Sequence, residues 1–243
     1  MQLFDARWRD VAIDAGRWLL PGDCLLCHER DPADELICPV CRSRWHRVPD
    51  PICDRCGQPL DRDMACRTCP EWPPGLDSVR SAVWLDGSAR RAVHLLKYEG
   101  WWRLAAAMAR PMMGLAPLRR GAVLVPVPLG RARERTRGYN QSAKLCAALE
   151  KQTGLEIAPA CLVRSRETPT QTRLTPDQRA ANLRSAFRAV RPPAHAVLID
   201  DVFTTGSTLV SAATALLAAG AVQVSAVTFA RAEPPLAAIN RLV

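Results

Sequence analysis

The sequence predicts an α/β protein with a doubly wound, mainly parallel sheet, preceded by a small cysteine-rich module. Val197–Ile199 is a short apolar, β-rich run, and the helix-forming stretch Leu209–Ala219 follows it. Gly121–Pro128 is a second apolar run, and the predicted helix Asn140–Thr153 follows it in turn. Eight of the ten cysteines fall within 46 residues, all in C-x-x-C pairs. A chain of 243 residues is long enough for both parts.

The N-terminal segment, residues 1–22, carries charges of both signs and has no long apolar run, so it does not resemble a secretory signal. Its apolar residues recur at helical spacing, which predicts an amphipathic helix packed on the protein, with membrane docking as the alternative. No apolar run in the sequence approaches the roughly 18 residues of a membrane span. With so many paired cysteines, we expect a protein of the reducing cytoplasm.

Residues 23–75 are predicted to form a double zinc ribbon. Each C-x-x-C turn directs two thiolates at one metal, and two turns complete a tetrahedral site, so we expect two structural zinc ions. Pro49–Pro51 divides the cysteines into two halves, which favours sequential pairing of the turns; a cross-braced arrangement is the alternative. His28 and His46 are expected not to be ligands because eight thiolates suffice. The predicted ligands are Cys24, Cys27, Cys38, Cys41, Cys53, Cys56, Cys66 and Cys69.

Residues 76–243 are predicted to form the main domain, after a linker rich in proline at Glu71–Gly75. A helix over Ser88–Ala109 is expected to be interrupted near Gly100, and Lys97 stands just before this break, where its side chain could be aimed at a site. Cys146 and Cys161 stand alone and are expected to be ordinary buried residues. The remaining predicted strands are Asp77–Leu85 and Val222–Phe229.

Two acids and a turn of small residues follow the strand at Val197–Ile199. Asp200 and Asp201 come first, and Thr204–Thr208 then joins them to the next helix. Gly206 permits a positive φ and close backbone approach, and the free N–H groups at the helix start can bind an anion. Paired carboxylates suit vicinal hydroxyls or Mg²⁺. The stretch therefore predicts a phosphate-binding turn beside two acids.

The formal charge of +9 is unevenly distributed. Residues 24–75 hold seven basic and nine acidic residues, 7 − 9 = −2, whereas residues 88–191 hold twenty and six, 20 − 6 = +14. The basic excess includes four arginines within seven positions, between a predicted strand and a helix. It indicates an anionic partner, either pyrophosphate groups or nucleic acid. A solvated basic loop is the alternative. The four arginines are Arg131, Arg133, Arg135 and Arg137.

The stretch Ala196–Thr208, A-V-L-I-D-D-V-F-T-T-G-S-T, resembles the phosphoribosyl-pyrophosphate (PRPP) signature of type I phosphoribosyltransferases. The resemblance implies that fold for the main domain. It also implies that Asp200 and Asp201 are catalytic residues that bind the ribose hydroxyls of PRPP, directly or through Mg²⁺. The residues implied to bind the 5′-phosphate are Thr204, Thr205, Gly206, Ser207 and Thr208.

A longer series of motifs resembles the ComF family, which combines an N-terminal zinc ribbon with a phosphoribosyltransferase-like domain. In chain order the motifs are L-K-Y-E-G, V-P-V-P, R-A-R-E-R-T-R-G-Y-N-Q, T-Q-T-R-L-T-P-D-Q-R-A-A-N-L-R-S-A-F and D-D-V-F-T-T-G-S-T. The resemblance covers roughly residues 24–231. It implies a pyrophosphate side formed by Lys97, Pro126, Val127 and Arg137. It also implies a flexible loop that closes over the site and contains Gln171, Arg179 and Asn182.

Two functions follow from these resemblances. In the first, the protein is a phosphoribosyltransferase that displaces pyrophosphate from PRPP with Mg²⁺, in DNA uptake or nucleotide-related metabolism. No segment that recognises an acceptor base is evident. In the second, the protein is a non-catalytic adaptor that binds single-stranded DNA and works with DNA-uptake proteins. The basic middle segment would then act with the nearby aromatic residues Trp101, Trp102 and Tyr139.

Overall fold

The computed structural model describes residues 22–30, 35–60, 65–165 and 186–233. The predicted N-terminal helix and the residues of the predicted flexible loop, Gln171, Arg179 and Asn182, lie outside these ranges. The described helices are α1 (Pro39–Ser43), α2 (Gly87–Tyr98), α3 (Leu104–Met112), α4 (Arg131–Arg137), α5 (Gln141–Thr153) and α6 (Ser207–Ala218). The described strands are β1 (Leu76–Trp84), β2 (Val123–Pro126), β3 (Leu162–Arg164), β4 (Phe187–Ala189), β5 (His195–Phe203) and β6 (Gln223–Arg231).

Four strands form one parallel sheet in the order β1-β6-β5-β2. The register places Val125 of β2 opposite Leu198 of β5, and Leu198 opposite Ala226 of β6. Strands β3 and β4 form a separate antiparallel pair. Because all four strands of the main sheet run the same way, their carboxyl ends lie along a single edge, where ligands of open α/β sheets bind.

Both faces of this sheet are covered. In β5, Val197 and Ile199 belong to one apolar cluster with α2, α3 and α5, whereas Ala196 and Leu198 belong to a second cluster with α6 and the β3–β4 pair. Successive side chains of a strand point to opposite faces, so this alternation requires layers on both sides. The predicted doubly wound, mainly parallel α/β fold is confirmed.

The chain differs from the sequence-based expectation in two places near the edge. The prediction that β5 ends at Ile199 was wrong, because the strand continues to Phe203 and contains Asp200 and Asp201. Pairing with β6 extends it, with Asp200 opposite Thr228 and Phe203 opposite Arg231. The basic segment after β2 forms a short helix, α4, which ends at Gly138 in the left-handed conformation.

The two cysteine-rich halves lie on opposite faces of the sheet. The described part of the first ribbon, residues 22–30 and 35–47, packs Trp45 against Phe229 with ring centroids 5.0 Å apart and joins the cluster of α2 and α3. The described part of the second ribbon, residues 51–60 and 65–72, buries Trp72 in the cluster of α6. Both halves thus share apolar cores with the sheet, and the proposed division of the chain at residue 76 stays a prediction. Among the described residues, no helix is long and apolar enough to cross a membrane.

Candidate functional site at the carboxyl edge of the sheet

The phosphate loop, Thr204–Thr208, connects β5 to α6 at the carboxyl edge. Gly206 is the N-cap of α6 and has a φ of 78°, in the left-handed region that glycine adopts without strain. The side chains of Thr204 and Thr205 are exposed, and the Thr205 hydroxyl lies 2.9 Å from that of Ser207. The first N–H groups of α6 have no acceptor within the helix. Hydroxyl and N–H donors therefore converge on one solvent-accessible turn.

Two aromatic rings lie directly beneath this loop. A Cβ placed on Gly206 would come within 2.9 Å of the Phe203 ring and 3.1 Å of the Trp72 ring. Phe203 and Trp72 are themselves in contact, with ring centroids 6.2 Å apart, and both are buried. Glycine is therefore required here both for its backbone conformation and for lack of space.

The acid pair is held by groups from two other elements. Asp201 is buried, and its Oδ2 lies 2.5 Å from the Lys97 ammonium at the end of α2. Asp200 Oδ1 accepts hydrogen bonds from the Ser142 hydroxyl at 2.8 Å and from the Asp201 N–H at 2.9 Å. The two carboxylates and one ammonium thus form a compact charged cluster between α2, α5 and β5.

The cluster shifts the pKa values of its members. Burial, and then the neighbouring charge of Asp201, raise the pKa of Asp200 to about 7, although Lys97 and the Ser142 hydroxyl act in the opposite direction. Burial acts to lower the pKa of Lys97, but the charges of Asp201 and Asp200 outweigh it and the pKa is raised. Lys97 therefore stays charged, and the cluster carries one fixed cation between two acids.

The remaining predicted site residues lie around this cluster. Pro126 and Val127 are buried at the end of β2, and the Val127 carbonyl accepts a hydrogen bond from the Asn140 side chain at 3.0 Å. Arg137 is half-buried at the end of α4, where it donates to Gln141 and lies 5.4 Å over the Tyr98 ring. The structure brings Lys97 and the acids into contact. The assignment of these residues to pyrophosphate stays a prediction.

The sequence does not indicate the contacts that several contributors to the site make, although Asn140 and Phe203 lie inside the motifs quoted above. Ser142, which holds Asp200, is 58 residues away from it. Asn140 caps α5 through the Ser142 N–H at 2.9 Å and also fixes the loop after β2, and only its position before a helix hinted at a capping role. For Trp72 and Phe203, no local pattern in the sequence indicates that their rings lie beneath Gly206. Each became identifiable only when distant segments met.

The cysteines form two separate quartets, each with all four Sγ atoms within 4.8 Å of one another. The first comprises Cys24, Cys27, Cys38 and Cys41, and the second comprises Cys53, Cys56, Cys66 and Cys69. Sequential pairing of the turns is therefore confirmed. Sulfur separations of 3.4 to 3.8 Å fit the edge of roughly 3.8 Å for tetrahedral sulfurs at a Zn–S distance of about 2.3 Å. His46 instead pairs with Asp86 at 2.8 Å.

A group of aromatic and basic side chains adjoins the site; Tyr98 is exposed and the others are half-buried. Tyr98 is 69% exposed and lies beside Arg137. The Trp102 ring has the Lys144 ammonium 4.2 Å and the Arg103 guanidinium 5.5 Å from its centroid. Trp101 and Tyr139, which the sequence also suggested, pack instead against the apolar core. We call Tyr98, Trp102, Arg103, Arg137 and Lys144 the aromatic–cation surface.

This chain matches one protein-family model over its N-terminal part and individual known proteins over most of its length. Residues 15–70 match the model of a double zinc ribbon domain. The DNA utilization protein YhgH of Salmonella typhi is 34% identical over 84% of this chain and 95% of its own length. The competence protein ComFC of Bacillus subtilis is 28% identical over 82% of this chain and 85% of its own length.

Solved structures also match part of this chain. One of them is a glutamine PRPP amidotransferase from B. subtilis, complexed with ADP and GMP. The match has a TM-score of 0.35 and 21% sequence identity, and it covers 57% of this chain and 27% of that one.

Proposed function

Because this chain belongs to the ComF family, as its similarity to the YhgH proteins over most of its length shows, we propose that its carboxyl-edge site binds PRPP with Mg²⁺ in DNA uptake or utilization. The proposal places the protein in the cytoplasm, where thiolate ligands remain reduced. The observation that carries it is the direct succession of the half-buried Asp200, the buried Asp201 and the phosphate loop along one edge of a parallel sheet.

The residues fit the two ends of such a ligand. Backbone N–H groups and hydroxyls of Thr204–Thr208 would hold the 5′-phosphate, assisted by the dipole of α6. Asp200 and Asp201 would bind the ribose hydroxyls or Mg²⁺, a cation that prefers carboxylate oxygens. Asp201 Oδ2 is buried, and its partner is the Lys97 ammonium 2.5 Å away. It would become available as a ligand atom when Lys97 turns toward an anion.

The chemistry supported by this arrangement is displacement of pyrophosphate from C1 of the ribose. Bound Mg²⁺ would neutralise charge on the departing pyrophosphate. Lys97 and Arg137 would bind the same group from the protein side, and the Pro126–Val127 turn would bring its backbone close to it. Asp200 and Asp201 would orient the ribose ring between the two phosphate sites. Most of the acceleration would come from positioning and fixed charges.

Calorimetric titration with PRPP and Mg²⁺ tests the site. We expect the Asp200→Asn/Asp201→Asn double variant to bind at least about a hundredfold more weakly than the wild type, because two charged contacts of about 1.5–3 kcal/mol each are lost. Asp77→Asn is the matched control, since Asp77 is an exposed acid at the opposite end of β1. A folded wild-type protein that does not bind PRPP would refute the proposal.

A second candidate function, binding of single-stranded DNA, is favoured by the aromatic–cation surface. Aromatic faces stack on bases, and the flanking cations contact phosphates. We expect affinity for an oligonucleotide to fall steeply as salt rises. Tyr98→Ala and Lys144→Ala should weaken binding, the former by about 1–3 kcal/mol, whereas Lys151→Ala, an exposed lysine on the same helix, should not. Fluorescence anisotropy at several salt concentrations measures this, and affinity independent of salt would contradict it.

A further inference from the structure

We infer that the second zinc ribbon holds the phosphate loop in its ligand-binding form, through Arg231 and Trp72, and that the first ribbon does not. The inference deepens the proposed function, because it names a control element of the same site. It makes the metal at the second cysteine quartet a requirement for binding phosphate groups at Thr204–Thr208. The metal at the first quartet has only a structural role elsewhere.

Arg231 forms the first link between ribbon and loop. It is the last residue of β6 and only 1% exposed. Its guanidinium donates to the carbonyl of Cys56, a ligand of the second quartet, at 2.8 Å and to the Gln58 side chain at 2.7 Å. The same guanidinium lies 4.1 Å from the centroid of the Phe203 ring. Phe203 immediately precedes the phosphate loop, so one side chain contacts both the metal-binding turn and the base of the loop.

The charge of the occupied metal site explains why Arg231 is buried there. Four thiolates and one Zn²⁺ carry a net charge of roughly −2, which compensates a buried guanidinium. When the metal leaves, the turns of this quartet are no longer held together, so the Cys56 carbonyl and the Gln58 side chain that accept from Arg231 lose their fixed positions. A buried cation without its acceptors is strongly unfavourable. We therefore expect loss of the second zinc ion to release Arg231 from its position and Phe203 with it.

Trp72 forms the second link. Its ring lies beneath Gly206, at the distance that excludes a Cβ there. Its backbone N–H donates to the carbonyl of Cys69, another ligand of the second quartet, at 3.3 Å. Arg55, between Cys53 and Cys56, holds the same segment by donating to the carbonyls of Cys69 at 3.0 Å and Trp72 at 2.9 Å. The metal-binding turns thus fix the ring that supports the loop.

The first ribbon makes its contacts in other parts of the fold. Trp45 packs on Phe229, Arg47 pairs with Val83 of β1, and the Cys41 carbonyl accepts a hydrogen bond from Ser88 at the start of α2. The chain therefore contains two chemically equivalent metal sites of which one is joined to the phosphate loop by named contacts. This provides an internal control.

The test compares Cys66→Ser with Cys27→Ser in the full chain. Each removes one half-buried ligand from one quartet, and each is expected to lower the zinc content by one ion per chain. Hydrogen exchange measured by mass spectrometry should be at least about tenfold faster for residues 203–208 in Cys66→Ser only. Titration with PRPP and Mg²⁺ should show a dissociation constant raised by about tenfold or more in Cys66→Ser only.

Arg231→Met keeps all eight cysteines and so separates the coupling from loss of the metal. We expect it to retain both zinc ions and to accelerate exchange in residues 203–208, with exchange in β2 unchanged. Local acceleration of this kind distinguishes a positioning role from general destabilisation. It also keeps the inference testable if Cys66→Ser fails to fold.

The exchange and binding results test the coupling between ribbon and loop separately from the proposed binding of PRPP. Unchanged loop exchange in Arg231→Met, or equal acceleration in Cys27→Ser and Cys66→Ser, overturns the coupling. If the exchange contrast is present but the wild type binds no PRPP, the coupling between ribbon and loop holds and the proposed ligand is wrong.

Discussion

Replacing Lys97 by methionine is expected to lower the free energy of unfolding by about 3–5 kcal/mol, the usual cost of leaving a buried charge without its partner. The Lys97 ammonium lies 2.5 Å from Asp201, whose side chain is only 4% exposed, and Asp200 is adjacent. Methionine keeps most of the volume but removes the charge. The variant therefore holds two neighbouring carboxylates with no cation between them. Urea denaturation without Mg²⁺ measures the loss.

A double-mutant cycle identifies the cause. Adding Asp201→Asn to Lys97→Met removes one of the two unpaired carboxylates and the repulsion between them, so the double variant is expected to be more stable than Lys97→Met alone. Lys151→Met is the control, because Lys151 is exposed near the end of α5; it should change stability by less than about 0.5 kcal/mol. If Lys97→Met and Lys151→Met behave alike, the ion pair does not stabilise the fold.

Because the pKa of Asp200 is raised, the loss of stability in Lys97→Met is expected to depend on pH. Burial and Asp201 raise this pKa to about 7 in the folded protein, compared with about 3.9 in an unfolded chain. Such an acid favours folding when protonated, so its contribution is complete below about pH 4 and is lost as the pH rises through about 7. Lys97 opposes this loss by pairing with the ionised acids. Lys97→Met should therefore be more destabilised, relative to wild type, at about pH 8 than at about pH 6.

Gly206→Ala is expected to destabilise the protein by about 2–5 kcal/mol and to abolish binding of PRPP. Placing a non-glycine residue at φ 78° costs about 1–2 kcal/mol. The new Cβ would lie 2.9 Å from Phe203 and 3.1 Å from Trp72, and crowding of this kind adds about 1–3 kcal/mol. Relief of the contact must move either the rings or the phosphate loop. Thermal unfolding and PRPP titration measure the two effects.

Gly154→Ala separates strain from crowding. Gly154 has a φ of 72°, but a Cβ there would meet nothing within 4 Å. We expect this variant to lose only the roughly 1–2 kcal/mol of backbone strain and to bind PRPP as the wild type does. Equal destabilisation by the two substitutions would show that the rings beneath Gly206 adjust freely and do not constrain the loop.

Features that depend on neighbouring residues could be predicted from the sequence. The C-x-x-C spacing indicated zinc ligands, and the apolar runs indicated buried strands. Positions 200–208 indicated adjoining acids, small hydroxyl residues and a glycine at a helix start. Each of these depends on periodicity, turn geometry or ligand spacing within about a dozen residues, and such local properties can be read from the chain directly.

The distant groups that complete the site could be identified only in the folded chain. Lys97 was noted in the sequence, but its pairing with Asp201 requires α2 to end beside β5. Arg231 had no local signal, because its role exists only where β6 ends between the second ribbon and Phe203. The extension of β5 beyond Ile199 likewise depends on pairing with β6. Burial, charge compensation and strand pairing each require contacts between segments that are far apart in sequence. The residues that make these contacts are therefore brought together only when the chain has folded.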